Sequence, residues 1–84
     1  MANAFPNGYL ASAQGAFAIT PSDTVDLPAP IRAVTIGTAG GVIKYIGRDG
    51  ETRTTGPLPI NTYSMEATRI LATGTTATGL TGWM

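Results

Sequence analysis

Ile31-Arg32-Ala33-Val34-Thr35-Ile36-Gly37-Thr38-Ala39-Gly40-Gly41-Val42-Ile43-Lys44-Tyr45-Ile46 holds two β-branched runs on either side of a glycine-rich break. β-branched side chains restrict χ1 and suit a pleated surface better than a helix. Over Ile31–Ile36 the alternation puts Arg32, Val34 and Ile36 on one face, and Ile31, Ala33 and Thr35 on the other. Gly37–Gly41 reads as a turn, so the two runs are expected to form a hairpin with a loop of about five residues.

The same punctuation continues on both sides of this stretch. Asp49-Gly50 is a strong hairpin signal, because both residues tolerate positive φ, and Thr52-Arg53-Thr54-Thr55 is the expected returning strand. Gly56-Pro57-Leu58-Pro59 then breaks the pattern. Over 61–72, Tyr63, Met65 and Ala67 alternate as a strand does. Ser64–Ala72 could also make a short helix, but the β-branched Thr68 and Ile70 and the short length favour a strand. A bulge near Ala67–Arg69 would explain why Ile70 and Leu71 are both apolar. Gly74–Gly79 reads as a loop and Leu80-Thr81-Gly82-Trp83 as a short final strand. Upstream, Ala16-Phe17-Ala18-Ile19 is a short strand, Thr20-Pro21-Ser22-Asp23 a turn, and Leu27-Pro28-Ala29-Pro30 an extended connector. About six short strands imply an all-β fold, a small antiparallel β-barrel or sandwich.

Residues 1–15 lack a helical or strand period, and Pro6 and Gly8 interrupt them. They carry Phe5, Tyr9 and Leu10, more apolar anchors than a purely solvating tail needs. The expected organisation is an extended N-terminal arm over 1–15 and a single β domain over 16–84.

Composition excludes several function classes. With 84 residues there is room for one domain, whose own core is marginal. Such domains gain stability from disulfides, metals or oligomerisation. The chain has no Cys and no His, which removes disulfides, thiolate metal sites, the commonest metal ligand and the usual general base. Oligomerisation, or docking on a larger partner, is what remains. Five basic and five acidic residues balance to a net charge of +0. Nucleic-acid binders depend on a basic excess, whereas a neutral protein tends to associate. No apolar run reaches the length of about 18 residues that a membrane helix needs. The segment Met1–Pro6 lacks the basic and apolar regions of a signal peptide, so synthesis is expected in the cytoplasm.

No constellation of reactive groups emerges. Asp23 and Asp26 lie in a turn region, where carboxylates cap and close turns; a Ca²⁺ site needs a denser acidic loop. Asp49 and Glu51 sit on a hairpin tip, and Glu66 is spaced to pair with Arg69. Lys44 lies mid-strand with no partner motif for a Ser–Lys arrangement. Gly37–Gly41 follows a strand but lacks the Gly-Lys-Ser/Thr ending of a phosphate loop. Arg48, Arg53, Tyr45 and Tyr63 together would make a nucleic-acid platform, against which the neutral charge argues. Trp83 has two readings, a plug that closes the core or an interface anchor. No catalytic, cofactor-binding or metal-binding residue and no cofactor is expected. Partner binding is assigned to Phe5, Tyr9, Leu10 and Trp83.

Several segments taken in order carry a family resemblance. They are Ile19-Thr20-Pro21-Ser22-Asp23, Asp26-Leu27-Pro28, Arg32–Gly41, and Thr68-Arg69-Ile70-Leu71-Ala72-Thr73-Gly74-Thr75-Thr76-Ala77-Thr78-Gly79. Over residues 16–83 the chain resembles the small head spike base proteins of tailed phages, prophages and gene transfer agents. Arg48–Ser64 departs from that pattern, and Pro59-Ile60-Asn61-Thr62-Tyr63 replaces the family's Gly-Thr approach to its last long strand. The resemblance implies a non-enzymatic virion protein on the capsid exterior, made in the cytoplasm of a bacterial host. Its implied partners are the major capsid protein, a spike or fibre protein, and copies of itself. A pentamer is favoured by a vertex position, with a trimer as the other order; neither nucleic acid nor membrane is implied. The competing function class is a small β-type binding module for carbohydrate or peptide, reading its ligand through Tyr45, Tyr63 and Trp83.

Overall fold

The computed structural model describes residues 15–84. The expected arm residues Phe5, Tyr9 and Leu10 lie outside the described residues. Six strands form: β1 (Ala16–Ala18), β2 (Ile31–Ala39), β3 (Lys44–Gly47), β4 (Thr52–Thr54), β5 (Thr62–Ile70) and β6 (Thr78–Trp83). All strand pairs are antiparallel, in the order β1-β6-β2-β5-β3-β4. The all-β expectation holds, and the six strands make one open sheet rather than a closed barrel.

The expected β2–β3 hairpin does not form. β5 lies between those strands, while β2 has β6 on its other side. Gly37, Thr38 and Ala39 prolong β2, with Ala39 opposite Thr78. The positive-φ glycines among the described residues are Gly50, Gly74 and Gly79, so Gly37, Gly40 and Gly41 lack the left-handed conformation of a tight hairpin turn. The chain runs on extended, and Gly41 exchanges two backbone hydrogen bonds of 2.9 Å with Leu58. Ile43, fully buried, then anchors the approach to β3. The Asp49-Gly50 hairpin forms as expected: β3 pairs with β4, and Gly50 has φ 86°.

The bulge expected near Ala67–Arg69 is present. Arg69 faces Ile46 while Ala67 faces the next residue, Gly47, leaving Thr68 as the extra residue. This shift carries the buried series Met65, Ala67 on to Ile70. On β2 the expected faces hold for Val34 and Ile36, but Ile31 also enters the core at 1% exposure. The pairing with β5 changes register between Ile31 and Ala33, so strict alternation fails there.

The core lies on one side of the sheet. Val34, Ile36, Met65, Ala67, Ile70 and Leu80 line it from the strands, and Ile19, Ile43 and Ala77 close it from the connections. Two loops are tied across this side. Thr75 and Thr76 accept the backbone N–H groups of Lys44 and Val42 through their Oγ1 atoms at 2.9 and 2.8 Å. The Thr-rich loop thus holds the start of β3 within its own chain. Leu27 donates its N–H to the Thr68 carbonyl and Ser22 its N–H to the Ile70 carbonyl, both at 2.9 Å, which lays the connector along the end of β5.

Candidate functional site

Among the described residues no element packs on the other side of the sheet. Directly opposed antiparallel residues share a face. Ala16 opposes Trp83, Ala18 opposes Thr81, and on the next strand Ala33 opposes Trp83 and Thr35 opposes Thr81. None of these six residues is buried. Thr62 and Ser64 continue the face on β5, opposite Thr35 and Ala33. The small side chains leave Trp83 as the one large group on this part of the face.

Trp83 is therefore not a core plug. Val34 and Gly82, which oppose each other, point to the core, and Trp83 sits one residue beyond. Its indole Nε1–H donates to Thr35 Oγ1 at 2.8 Å, and Thr35 Oγ1 lies 2.7 Å from Thr62 Oγ1. This run of hydroxyls holds the half-buried ring at a set orientation on the open face. The strand parity of β2 and β6 carried this information in the sequence, but only once those strands were known to be neighbours.

The sheet brings Arg48, Arg53 and Tyr45 together but separates them from Tyr63. The first three line a depression of about 640 Å³ with Gly47, Asp49 and Glu66. Its charges are matched. Arg53 Nη1 and Nη2 donate to the two Asp49 carboxylate oxygens at 2.8 Å each. That fork, with the Glu51 N–H at 3.1 Å, holds the Asp49 carboxyl well below the usual carboxylate range. Glu66 lies 4.0 Å from Arg48. Asp49 thus stays ionised near neutral pH and holds Arg53 in a two-point pair. Tyr63 packs against the core, and its hydroxyl donates to the Pro59 carbonyl at 2.6 Å. Tyr45, Tyr63 and Trp83 consequently do not form one stacking surface.

Asp23 and Asp26 act separately, and over longer range than turn capping. Asp23 accepts the Thr73 N–H at 2.9 Å and the Thr73 hydroxyl at 2.7 Å, which lowers its pKa. Asp26 accepts from Arg69 Nε at 2.8 Å. The expected Glu66–Arg69 pair is replaced by this one, because the bulge turns Arg69 toward the connector. Local capping falls to Ser22, whose Oγ accepts the N–H groups of Thr24 and Val25 at 3.2 and 3.1 Å. Among the described residues no cluster of three His, Cys, Asp or Glu side chains is placed to hold a metal ion.

Among the described residues both edges of the sheet, β1 and β4, have no further strand paired to them. On β1, Gly15 O and Ile19 N bond toward β6, so by alternation the backbone groups of Ala16 and Ala18 point outward. On β4, Glu51 O and Thr55 N bond toward β3, which leaves those of Thr52 and Thr54 outward. Among the described residues, Val25 and Ile60 are the exposed large hydrophobic residues, at 65% and 56% exposure. Among the described residues, a small-residue face with one Trp, two edge strands without a further partner and two exposed apolar side chains are features that an assembling subunit uses.

No family model and no curated protein matches the chain. A solved structure does. A chain from the capsid of the native GTA (gene transfer agent) particle, computed with C5 symmetry, matches with a TM-score of 0.79 and 31% sequence identity. The match covers 99% of this chain and 100% of that one.

Proposed function

The chain belongs to the family of capsid structural proteins of phage-like gene transfer agent particles, and from that premise we propose that it is a head spike base or capsid decoration protein. In this reading it sits on the outside of the major capsid protein shell, carries a spike or fibre protein, and works as a homo-oligomer. A pentamer suits a capsid vertex, and a trimer is the other order. Synthesis takes place in the cytoplasm of the bacterial host, and the partner-binding residues are Phe5, Tyr9, Leu10 and Trp83.

The observation that carries the proposal is the end-to-end correspondence with a capsid chain. Two features support the docking role. The protein is small, and among the described residues both edge strands and one face of the sheet lack a covering partner, which neighbours in a closed assembly would supply. Among the described residues, Arg53 pairs with Asp49 and Arg69 with Asp26, and no three His, Cys, Asp or Glu side chains gather at one place.

The test is to mix purified protein with capsids that lack it, then sediment the capsids and image them by electron microscopy. Saturable co-sedimentation and added density on the outer surface are expected. Protein left in the supernatant at all concentrations would refute the proposal.

A further inference from the structure

The two edges of the sheet fit one another. Every strand pair is antiparallel and the sheet has six strands, so β1 and β4 run in opposite directions. A second copy in the same orientation therefore brings its β1 antiparallel to β4 of the first. An odd number of strands would make that junction parallel.

The outward backbone groups match as well. Ala16 and Ala18 on β1, and Thr52 and Thr54 on β4, each present one N–H and one C=O away from the sheet. With Ala16 opposite Thr54 and Ala18 opposite Thr52, each of these groups meets a partner across the junction. The faces agree in the same register. Phe17 opposes Gly82, which opposes Val34; Arg53 opposes Tyr45, which opposes Ile70. Phe17 and Arg53 thus share the core side, and the two Ala and two Thr residues share the other. Neither strand contains Pro, and neither is bulged against its inner neighbour, so neither edge is blunted in those ways.

Charge selects between the ways of joining these edges. Two copies of β4 related by a two-fold axis would set Arg53 directly opposite Arg53, with like charges opposed. Against β1 it faces Phe17 instead, and an aromatic ring attracts a cation.

We propose that β4 of one copy takes β1 of the next copy as its neighbouring strand, so that the sheet continues from subunit to subunit around a closed ring. The inference rests on the reading of the chain as an assembling capsid component and names the contact that joins the copies. The junction is heterologous, with a different edge on each side.

The chain has no Cys, so introduced thiols report on this junction alone. Opposed residues in an antiparallel pair have Cα atoms about 4.5–5.5 Å apart, within the reach of a disulfide. In one molecule β1 and β4 lie about 24 Å apart, at about 4.8 Å per strand spacing. Ala18→Cys and Thr52→Cys in one chain can therefore link only between copies. The oxidised double variant, with and without capsids, is expected to give a ladder of covalent oligomers ending at one closed size on a non-reducing gel. Each single variant is expected to run as a monomer. Thr54→Pro removes an outward N–H where an edge strand accepts Pro. It should keep the far-ultraviolet circular dichroism, reduce the mass from light scattering to that of a monomer, and leave the Ala18 amide in fast exchange with solvent. Absence of the ladder in both conditions would overturn the proposal. So would dimers from either single variant, which assign the contact to a two-fold axis, or a Thr54→Pro protein that still assembles. Slow exchange at Ala18 in the Thr54→Pro monomer would also overturn it, because the chain would then cover its own β1 edge. Capsid co-sedimentation run in parallel separates the two readings. Capsid binding without the ladder overturns this inference and leaves the capsid role standing, whereas the ladder without capsid binding does the reverse.

Discussion

Trp83 donates its indole N–H to the Thr35 hydroxyl at 2.8 Å, linking β6 to β2 on the face away from the core. The bond orients an aromatic ring that the core does not hold. Thr35→Val should remove the acceptor while keeping the shape. It also loses the bond with Thr62 Oγ1, so the Trp83 bond alone accounts for about 0.5–1.5 kcal/mol of the cost, the usual net contribution of one hydrogen bond. A double-mutant cycle with Trp83→Phe, read by urea unfolding, should return a coupling energy of that size. Additive single effects would show that the bond does not contribute.

The core is thin, and its largest members are fully buried. Ile36 and Ile43 are both at 0% exposure. Ile36→Ala should cost about 2–5 kcal/mol, against a total stability of roughly 4–13 kcal/mol for a domain of this length. The variant is expected to be partly unfolded at 37 °C, while Ile43→Val loses only about 0.5–1.5 kcal/mol. Urea midpoints at constant slope are the measurement.

Gly79 and Gly50 make a paired test of backbone against packing. Both have positive φ, 71° and 86°. A Cβ on Gly50 meets open space, whereas one on Gly79 runs into the Thr38 side chain and backbone nitrogen. Gly50→Ala should cost about 1 kcal/mol, the penalty for left-handed backbone in an L-residue. Gly79→Ala should cost clearly more, and should also loosen the β2–β6 pairing, seen as faster hydrogen exchange along β6. Equal melting temperatures for the two variants would contradict this.

Asp23 supplies a pH dependence of defined sign. Its carboxylate accepts two hydrogen bonds from Thr73, so its folded pKa is lowered. A lowered acid stabilises the fold above its unfolded pKa of about 3.9 and loses that contribution as pH falls through the folded value. The melting temperature of Asp23→Asn should therefore lie below that of the unaltered protein at pH 7. The gap should narrow as pH drops below about 4. A gap that widens in acid would reverse the assignment.

Strand identity was determined by the sequence itself. β-branched alternation marks β2 and β5, Asp49-Gly50 marks the β3–β4 turn, and the offset between Ala67 and Ile70 marks the bulge. These are local matters of backbone preference and period, which a strand carries wherever it is placed. Composition likewise settled the lack of His and Cys before any fold was known. Which strands are neighbours was decided only in three dimensions. β2 abandons its sequence neighbour β3 for β5 and β6, because burial on a shared face outweighs the short path of a five-residue turn. The same non-local pairing put Trp83 opposite Ala16 and Ala33 instead of in the core, and sent Arg69 to Asp26 rather than Glu66. A side chain's face follows from its own strand's parity, but its company follows from pairings with strands distant in the chain, and the surroundings of Trp83 consist of that company.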